Sequence, residues 1–141
     1  MQRNASARWT GDLKNGNGTL AVGSGAFSGP YSFVSRFEGS GDTNPEELLG
    51  AAHAACFSMA LSLACSTAGH IPTSVETKAA VHLEKVDGGM QITRIDLHTH
   101  GVVLGMTSEQ FQELAEATKT GCIVSKALSA VPMTLEVTFE G

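Results

Sequence analysis

The sequence predicts an α+β fold in which antiparallel β-sheet packs with one long, unusually apolar helix. Three observations carry that prediction. From Ser74 the pattern has a period of two: Val75, Thr77, Ala79, Val81 and Leu83 share one face, and Glu76, Lys78, His82 and Glu84 share the other. The closing run MTLEVTFE alternates in the same way. Between residues 45 and 67, by contrast, apolar and small residues occur on almost every side of a helical wheel. At 141 residues the chain is expected to form a single domain, 1–141, with a core large enough to need no covalent staples.

Residues 7–37 read as short strands. ARW, TLAV and YSFVSRF are separated by GDLKNGNG and GSGAFSG, both rich in turn formers. GSGDTNPEE at 39–47 then leads into the long helix. Asn44 is a good N-cap, Pro45 suits the first helical position, and Glu46 and Glu47 favour the first turn through the helix dipole. This helix should run to about Thr67, before the breaker AGHIP. The strand from Ser74 turns at Asp87-Gly88-Gly89 into a second, MQITRIDLHTHGVV. Thr107 and Gln110 form a capping box for another helix, with Phe111, Leu114 and Ala115 as its buried stripe. KTGC ends that helix, IVSKAL begins a short one, and MTLEVTFE is the last strand.

Charge excludes several classes of function. The formal charge is −5 and the nine Lys and Arg form no cluster, which argues against nucleic acid or an anionic membrane as partner. The opening MQRNASARWTGDL lacks the apolar run and cleavage site of a secretory signal. Three cysteines, none in a CxxC pair, make a disulfide framework or structural zinc site a poor fit, so a cytoplasmic protein with reduced thiols is expected. LLGAAHAACFSMALSLAC approaches membrane-spanning length, but it is rich in Ala, Gly and Ser and has no aromatic or basic anchors. A helix so apolar needs more cover than one sheet face supplies, and homodimerisation through it is the simplest remedy.

Cys56 and Cys122 are the thiols of interest. Cys122 follows a helix-ending glycine and opens the next helix, a setting that lowers thiol pKa. Cys65 stands nine residues after Cys56, about 900° around a helix, and is expected to be packing. His53 lies one turn before Cys56 but has no evident orienting group, so it is expected to be a helix-interface histidine. His98 and His100 share a strand face, with His82 on the neighbouring strand; an exposed face is expected there, not a metal site.

RFEG at 36–39, TNPEELLGAAHAACFSMALS at 43–62 and GCIVS at 121–125 resemble the OsmC branch of the osmotically inducible protein C and organic hydroperoxide resistance (OsmC/Ohr) family. The similarity spans nearly the whole chain, including the opening ARWTGDLKNGNGTL. The resemblance implies a cofactor-free, stress-response thiol peroxidase acting on organic hydroperoxides and hydrogen peroxide. It implies a peroxidatic Cys56 and a resolving Cys122, with Arg36 and Glu46 as polar partners of the reactive sulfur. It further implies an intertwined homodimer with sites at the subunit interface, and a dithiol reductant such as a lipoylated protein.

Physical chemistry is consistent with these roles. Only a thiolate attacks a peroxide oxygen, and an apolar helix disfavours the thiolate, so a fixed cation such as Arg36 must offset burial. Glu46 would hold the guanidinium through a bidentate pair. Cys56 would become a sulfenic acid that Cys122 converts to a disulfide. Without the resemblance, Arg36 on a strand reads as a solvated side chain, Glu46 as a helix-start residue and Cys56 as core filler. Glu46 and Cys56 are ten residues apart, about 15 Å along an unbroken helix. Either the helix breaks near Gly50, or Glu46 serves the partner's Cys56; the second is expected. Ile123 stands where relatives commonly carry proline after the second cysteine, which makes Cys122 the least secure of the four roles. The competing readings are a non-enzymatic binder of small apolar ligands, with Cys56 merely lining a pocket, and a Cys–His hydrolase using His53.

Overall fold

Three antiparallel strands, β1 (Ala5–Thr10), β2 (Asn17–Val22) and β3 (Ser28–Tyr31), form a meander at the start of the chain. Trp9 and Tyr31 pack across it with ring centroids 5.4 Å apart and planes inclined by 50°. A computed structural model describes residues 1–39 and 41–141; Ser40, in the 39–47 stretch expected to lead into the long helix, lies outside the described residues. The chain divides into two compact units, Met1–Leu48 and Leu49–Gly141.

One expectation for the first unit fails. YSFVSRF is not a strand: the ladder stops at Tyr31, and Val34–Glu38 form a single π-helical turn that carries Arg36. The cause is local. Ser35 Oγ accepts from the Ser32 N–H (2.9 Å) while Ser32 Oγ accepts from the Ser35 N–H (3.1 Å). Such side-chain-to-backbone bonds compete with sheet pairing. Gly39, at φ 73°, ends the turn in the left-handed region.

The helix α1 (Pro45–Thr67) is continuous and begins as expected, with Asn44 Oδ1 accepting from the Glu47 N–H at 2.8 Å. In the second unit its body meets a three-stranded sheet of order β4 (Ser74–Val86), β5 (Gly89–Val102) and β6 (Met133–Glu140). β4 and β5 are an antiparallel hairpin, but β6 runs parallel to β5, so the sheet is mixed and not wholly antiparallel. The physical reason is the crossover. Residues 103–132 contain α2 (Ser108–Gly121) and α3 (Ile123–Ala127), a connection long enough to return the chain to the same end of the sheet. The Thr107–Gln110 capping box forms as expected.

Phe57, Leu61 and Cys65 of α1 are fully buried in one cluster with Ile95 and Leu97 of β5 and Phe111 of α2. Each large apolar side chain of this kind contributes about 1.5–3 kcal/mol through burial. A polar chain crosses the cluster: Ser58 Oγ donates to Thr77 Oγ1 at 2.8 Å, which in turn lies 3.0 Å from Thr99 Oγ1. The other face of α1 is uncovered in the single chain, with Met59 78% and Leu63 69% exposed. On the sheet, Asp96 accepts from Thr134 at 2.6 Å and from Arg94 at 2.8 Å, which lower its pKa to about 2. His82 pairs with the same carboxylate at 2.6 Å, His100 lies 2.8 Å from Thr138 Oγ1, and His98 is exposed. Among the described residues no group of three or more His, Cys, Asp or Glu is placed to hold a metal.

Candidate active site

In the first unit Arg36 and Glu46 meet as the sequence suggested. Arg36 Nη2 donates to Glu46 Oε1 at 2.8 Å, and Nε lies 3.2 and 3.3 Å from the two carboxylate oxygens. The π-helical turn presents the guanidinium, and the first turn of α1 presents the carboxylate. Their side chains are 40% and 8% exposed, so the carboxylate is the buried anchor and the guanidinium the open side. The Arg36 guanidinium also lies 5.3 Å from the centre of the Phe37 ring. A groove of about 420 Å³ beside it is lined by Trp9, Leu13, Tyr31, Phe33 and Phe37. An arginine at the edge of an aromatic groove can grip polar oxygens while apolar substituents bury against the rings.

In the second unit Cys56 and Cys122, 66 residues apart in the sequence, come together between α1 and the junction of α2 with α3. All three cysteines are free thiols. Cys122 is buried, and as the N-cap of α3 its sulfur accepts from the Ser125 N–H at 3.3 Å. Its thiol donates to Ser125 Oγ at 3.3 Å. Burial opposes ionisation of Cys122, but the Ser125 hydroxyl, the Ser125 N–H and the neighbouring Cys56 thiol, each able to donate to the thiolate, outweigh it and bring the pKa below the ordinary thiol value. Cys56 is half-buried against the core. Cys65 is wholly buried, and burial pushes its thiol pKa up, as suits a packing residue. Ile123 occupies the first helical position of α3 and is 79% exposed. An N–H at that position has no intrahelical partner whichever residue stands there.

One contact of this neighbourhood escaped the sequence reading. His53, expected to have no orienting group, is fully buried with Nε2 2.8 Å from Ser125 Oγ. Ser125, never singled out, is 3% exposed and touches both His53 and Cys122. The available signal was the three-residue spacing from Cys122 to Ser125, the distance over which an N-cap side chain reaches a backbone N–H.

Comparison with known proteins places this geometry in a lineage. The chain is 49% identical over 131 residues to "Peroxiredoxin OsmC" of Escherichia coli (strain K12), covering 92% of both chains. The same figures hold for "Peroxiredoxin OsmC" of Shigella flexneri. The organic hydroperoxide resistance protein OhrB of Bacillus subtilis superposes with a TM-score of 0.69 at 24% identity, over 97% of this chain and 98% of that one. An OsmC like protein from Mycoplasma pneumoniae gives 0.75 at 14% identity, over 100% of this chain and 99% of the other. At such identities these two likenesses speak for the fold. The model of the OsmC-like protein family matches residues 38–136, from the end of the arginine turn into the last strand. On that match and on near-half identity to full-length relatives, the chain belongs to the OsmC-like protein family.

Proposed function

We propose that this protein is a cysteine-based peroxidase that reduces organic hydroperoxides and hydrogen peroxide. The observation that carries the reading is the meeting of Cys56 with Cys122, two thiols distant in sequence, the second with a pKa below the ordinary thiol value. The Cys56 thiolate attacks the peroxide, the O–O bond breaks, an alcohol leaves and Cys56 becomes a sulfenic acid. Cys122 then displaces hydroxide, which departs as water, and the Cys56–Cys122 disulfide forms. A dithiol, such as that of a lipoylated protein, restores both thiols by exchange. Each step uses only side chains and thiol reductant, so the scheme requires no cofactor. The reduced thiols it depends on suit a cytoplasmic setting. The test is intact mass after brief treatment of reduced protein with stoichiometric cumene hydroperoxide. Loss of two hydrogens in the wild type, with sulfenic acid trapped only in Cys122→Ser, is the expected result. An unchanged mass would leave Cys56 as pocket lining and favour a ligand-binding role.

Arg36 and Glu46 complete the site from a second copy of the chain. The support is helical continuity: α1 is unbroken from Pro45 to Thr67, so Glu46 and Cys56 of one chain stand about 15 Å apart along its axis. The exposed Met59 and Leu63 stripe of α1 gives the two copies an apolar surface to share. Mixing Cys56→Ser with Glu46→Gln protein discriminates the arrangements. If the pair acts in trans, mixed dimers regain one intact site, and randomly exchanged subunits recover roughly a quarter of wild-type activity. Sites built within one chain would recover none. The aromatic groove beside Arg36 favours bulky hydroperoxides over hydrogen peroxide; equal kcat/KM for the two would count against that preference. The family match runs across the boundary between Leu48 and Leu49, which supports the two units working as one functional domain.

A further inference from the structure

We infer that His53 and Ser125 form a proton relay that activates Cys122 as the attacking thiol in disulfide closure. The inference deepens the peroxidase reading and rests on it for its biological role. The relay is continuous: the Cys122 thiol donates to Ser125 Oγ at 3.3 Å, and Ser125 Oγ lies 2.8 Å from His53 Nε2. All three side chains are buried, at 2%, 3% and 0% exposure, so bulk water does not compete for these protons.

The direction of the chain follows from what each group can offer. A thiol that donates to the Ser125 oxygen leaves the Ser125 proton free to point at His53 Nε2, which must then be unprotonated. Burial lowers the His53 pKa and so favours the neutral ring that accepts the Ser125 proton; the charge of the imidazolium formed on transfer is offset by the Cys122 thiolate at the other end of the chain. Shifting two protons along the chain gives a Cys122 thiolate that accepts from both the Ser125 hydroxyl and the Ser125 N–H. The imidazolium so formed is held close by a serine that now accepts from it. The thiolate attacks the Cys56 sulfenic sulfur, the S–O bond breaks and the S–S bond forms. The departing hydroxide takes up a proton, His53 returns to neutrality, and no oxidant beyond the hydroperoxide is consumed.

Little else nearby can do this work. The titratable neighbour from α1 is Cys56 itself. In α2, Lys119 pairs with Glu116 at 3.4 Å, and Lys126 of α3 is exposed. The sheet turns Val75, Ala79 and Leu97 toward the core and carries Glu76, Lys78 and His98 on its other face. Among the described residues His53 Nδ1 is the one buried side-chain nitrogen or oxygen without a hydrogen-bond partner. A buried imidazole kept with one nitrogen unsatisfied is costly as mere packing.

His53 therefore acts through Ser125 as a positioning residue, and the readout is the ionisation of Cys122. In a Cys56→Ser background, alkylation by iodoacetamide is followed from pH 6 to 10, with the Cys122 and Cys65 peptides resolved by mass spectrometry. His53→Gln is expected to raise the midpoint of the Cys122 profile by about one pH unit, slowing alkylation roughly tenfold at pH 7. Ser125→Ala is expected to do the same, and the double variant no more, because one chain is cut twice. Cys65 should keep its wild-type reactivity throughout. An unmoved Cys122 midpoint in both variants, or a parallel change at Cys65 from a loosened core, would overturn the relay. A moved midpoint in a protein whose wild type forms no disulfide with hydroperoxide would support the relay and overturn the peroxidase reading instead.

Discussion

Replacing Glu46 with glutamine separates the chemical role of the arginine pair from its structural one. The substitution preserves shape and one acceptor oxygen but removes the negative charge and turns an amide N–H₂ toward the Arg36 guanidinium. Three close contacts of 2.8, 3.2 and 3.3 Å become one or none. Hydrogen bonds to charged groups are worth about 1.5–3 kcal/mol when fully desolvated. The Arg36 side chain is 40% exposed and can turn to water, so solvent screening should hold the stability loss to about 1 kcal/mol. That is a roughly fivefold change in the folding equilibrium, read as a shift in the urea midpoint at constant slope. Catalysis should suffer far more. A guanidinium displaced by about 1 Å from its working position costs on the order of 100-fold. The assay is single-turnover formation of the Cys56 sulfenic acid in a Cys122→Ser background. A rate within twofold of the parent would refute the assignment of this pair to the reacting sulfur, whatever happened to stability.

Other perturbations have equally definite outcomes. Because burial lowers the His53 pKa, the unfolded chain binds the extra proton first as pH falls below about 6.5. Stability should then fall between about pH 6.5 and the lower folded-state pKa, by at most about 1.4 kcal/mol per pH unit, and urea midpoints of His53→Gln should be flatter over that range. Gly101→Ala would place a Cβ 2.1 Å from the Phe111 ring, and overpacking there should cost about 1–3 kcal/mol in denaturant melts. Cys122→Ser keeps a good N-cap acceptor for the Ser125 N–H, so it should abolish disulfide closure while changing the urea midpoint by less than about 1 kcal/mol equivalent.

Much of the fold was legible because it rests on short-range rules. The Asn44 cap, the Thr107–Gln110 box and the alternation of Ser74–Val86 each declare themselves within a few residues. The arginine turn was not legible, since YSFVSRF has the alternation of a strand and only the reciprocal Ser32–Ser35 bonds overrule it. The direction of β6 depends on where a crossover returns, which alternation cannot encode. At the candidate site, Arg36 and Glu46 were singled out through family resemblance; without it Arg36 reads as a solvated side chain and Glu46 as a helix-start residue. His53 does sit buried between helices, but its partner was not legible, because Ser125 is 72 residues away and only the packing of α1 against the α2–α3 junction joins them.

The hydroxyl ladder of Ser58, Thr77 and Thr99 bears on how Cys56 is aimed. Apolar packing alone tolerates sliding, since a helix rich in alanine and small residues offers several near-equivalent seats on a sheet. The ladder does not. A slip of one residue rotates α1 by about 100° and parts the half-buried Ser58 hydroxyl from Thr77, whose other partner, the buried Thr99, belongs to the sheet. Ser58 lies two residues beyond Cys56, so the ladder acts as an index pin that fixes both the height and the rotation of the thiol against the strands. In the proposed reaction the thiolate meets the peroxide in line with its O–O bond, an alignment that the Ser58–Thr77–Thr99 hydrogen bonds support.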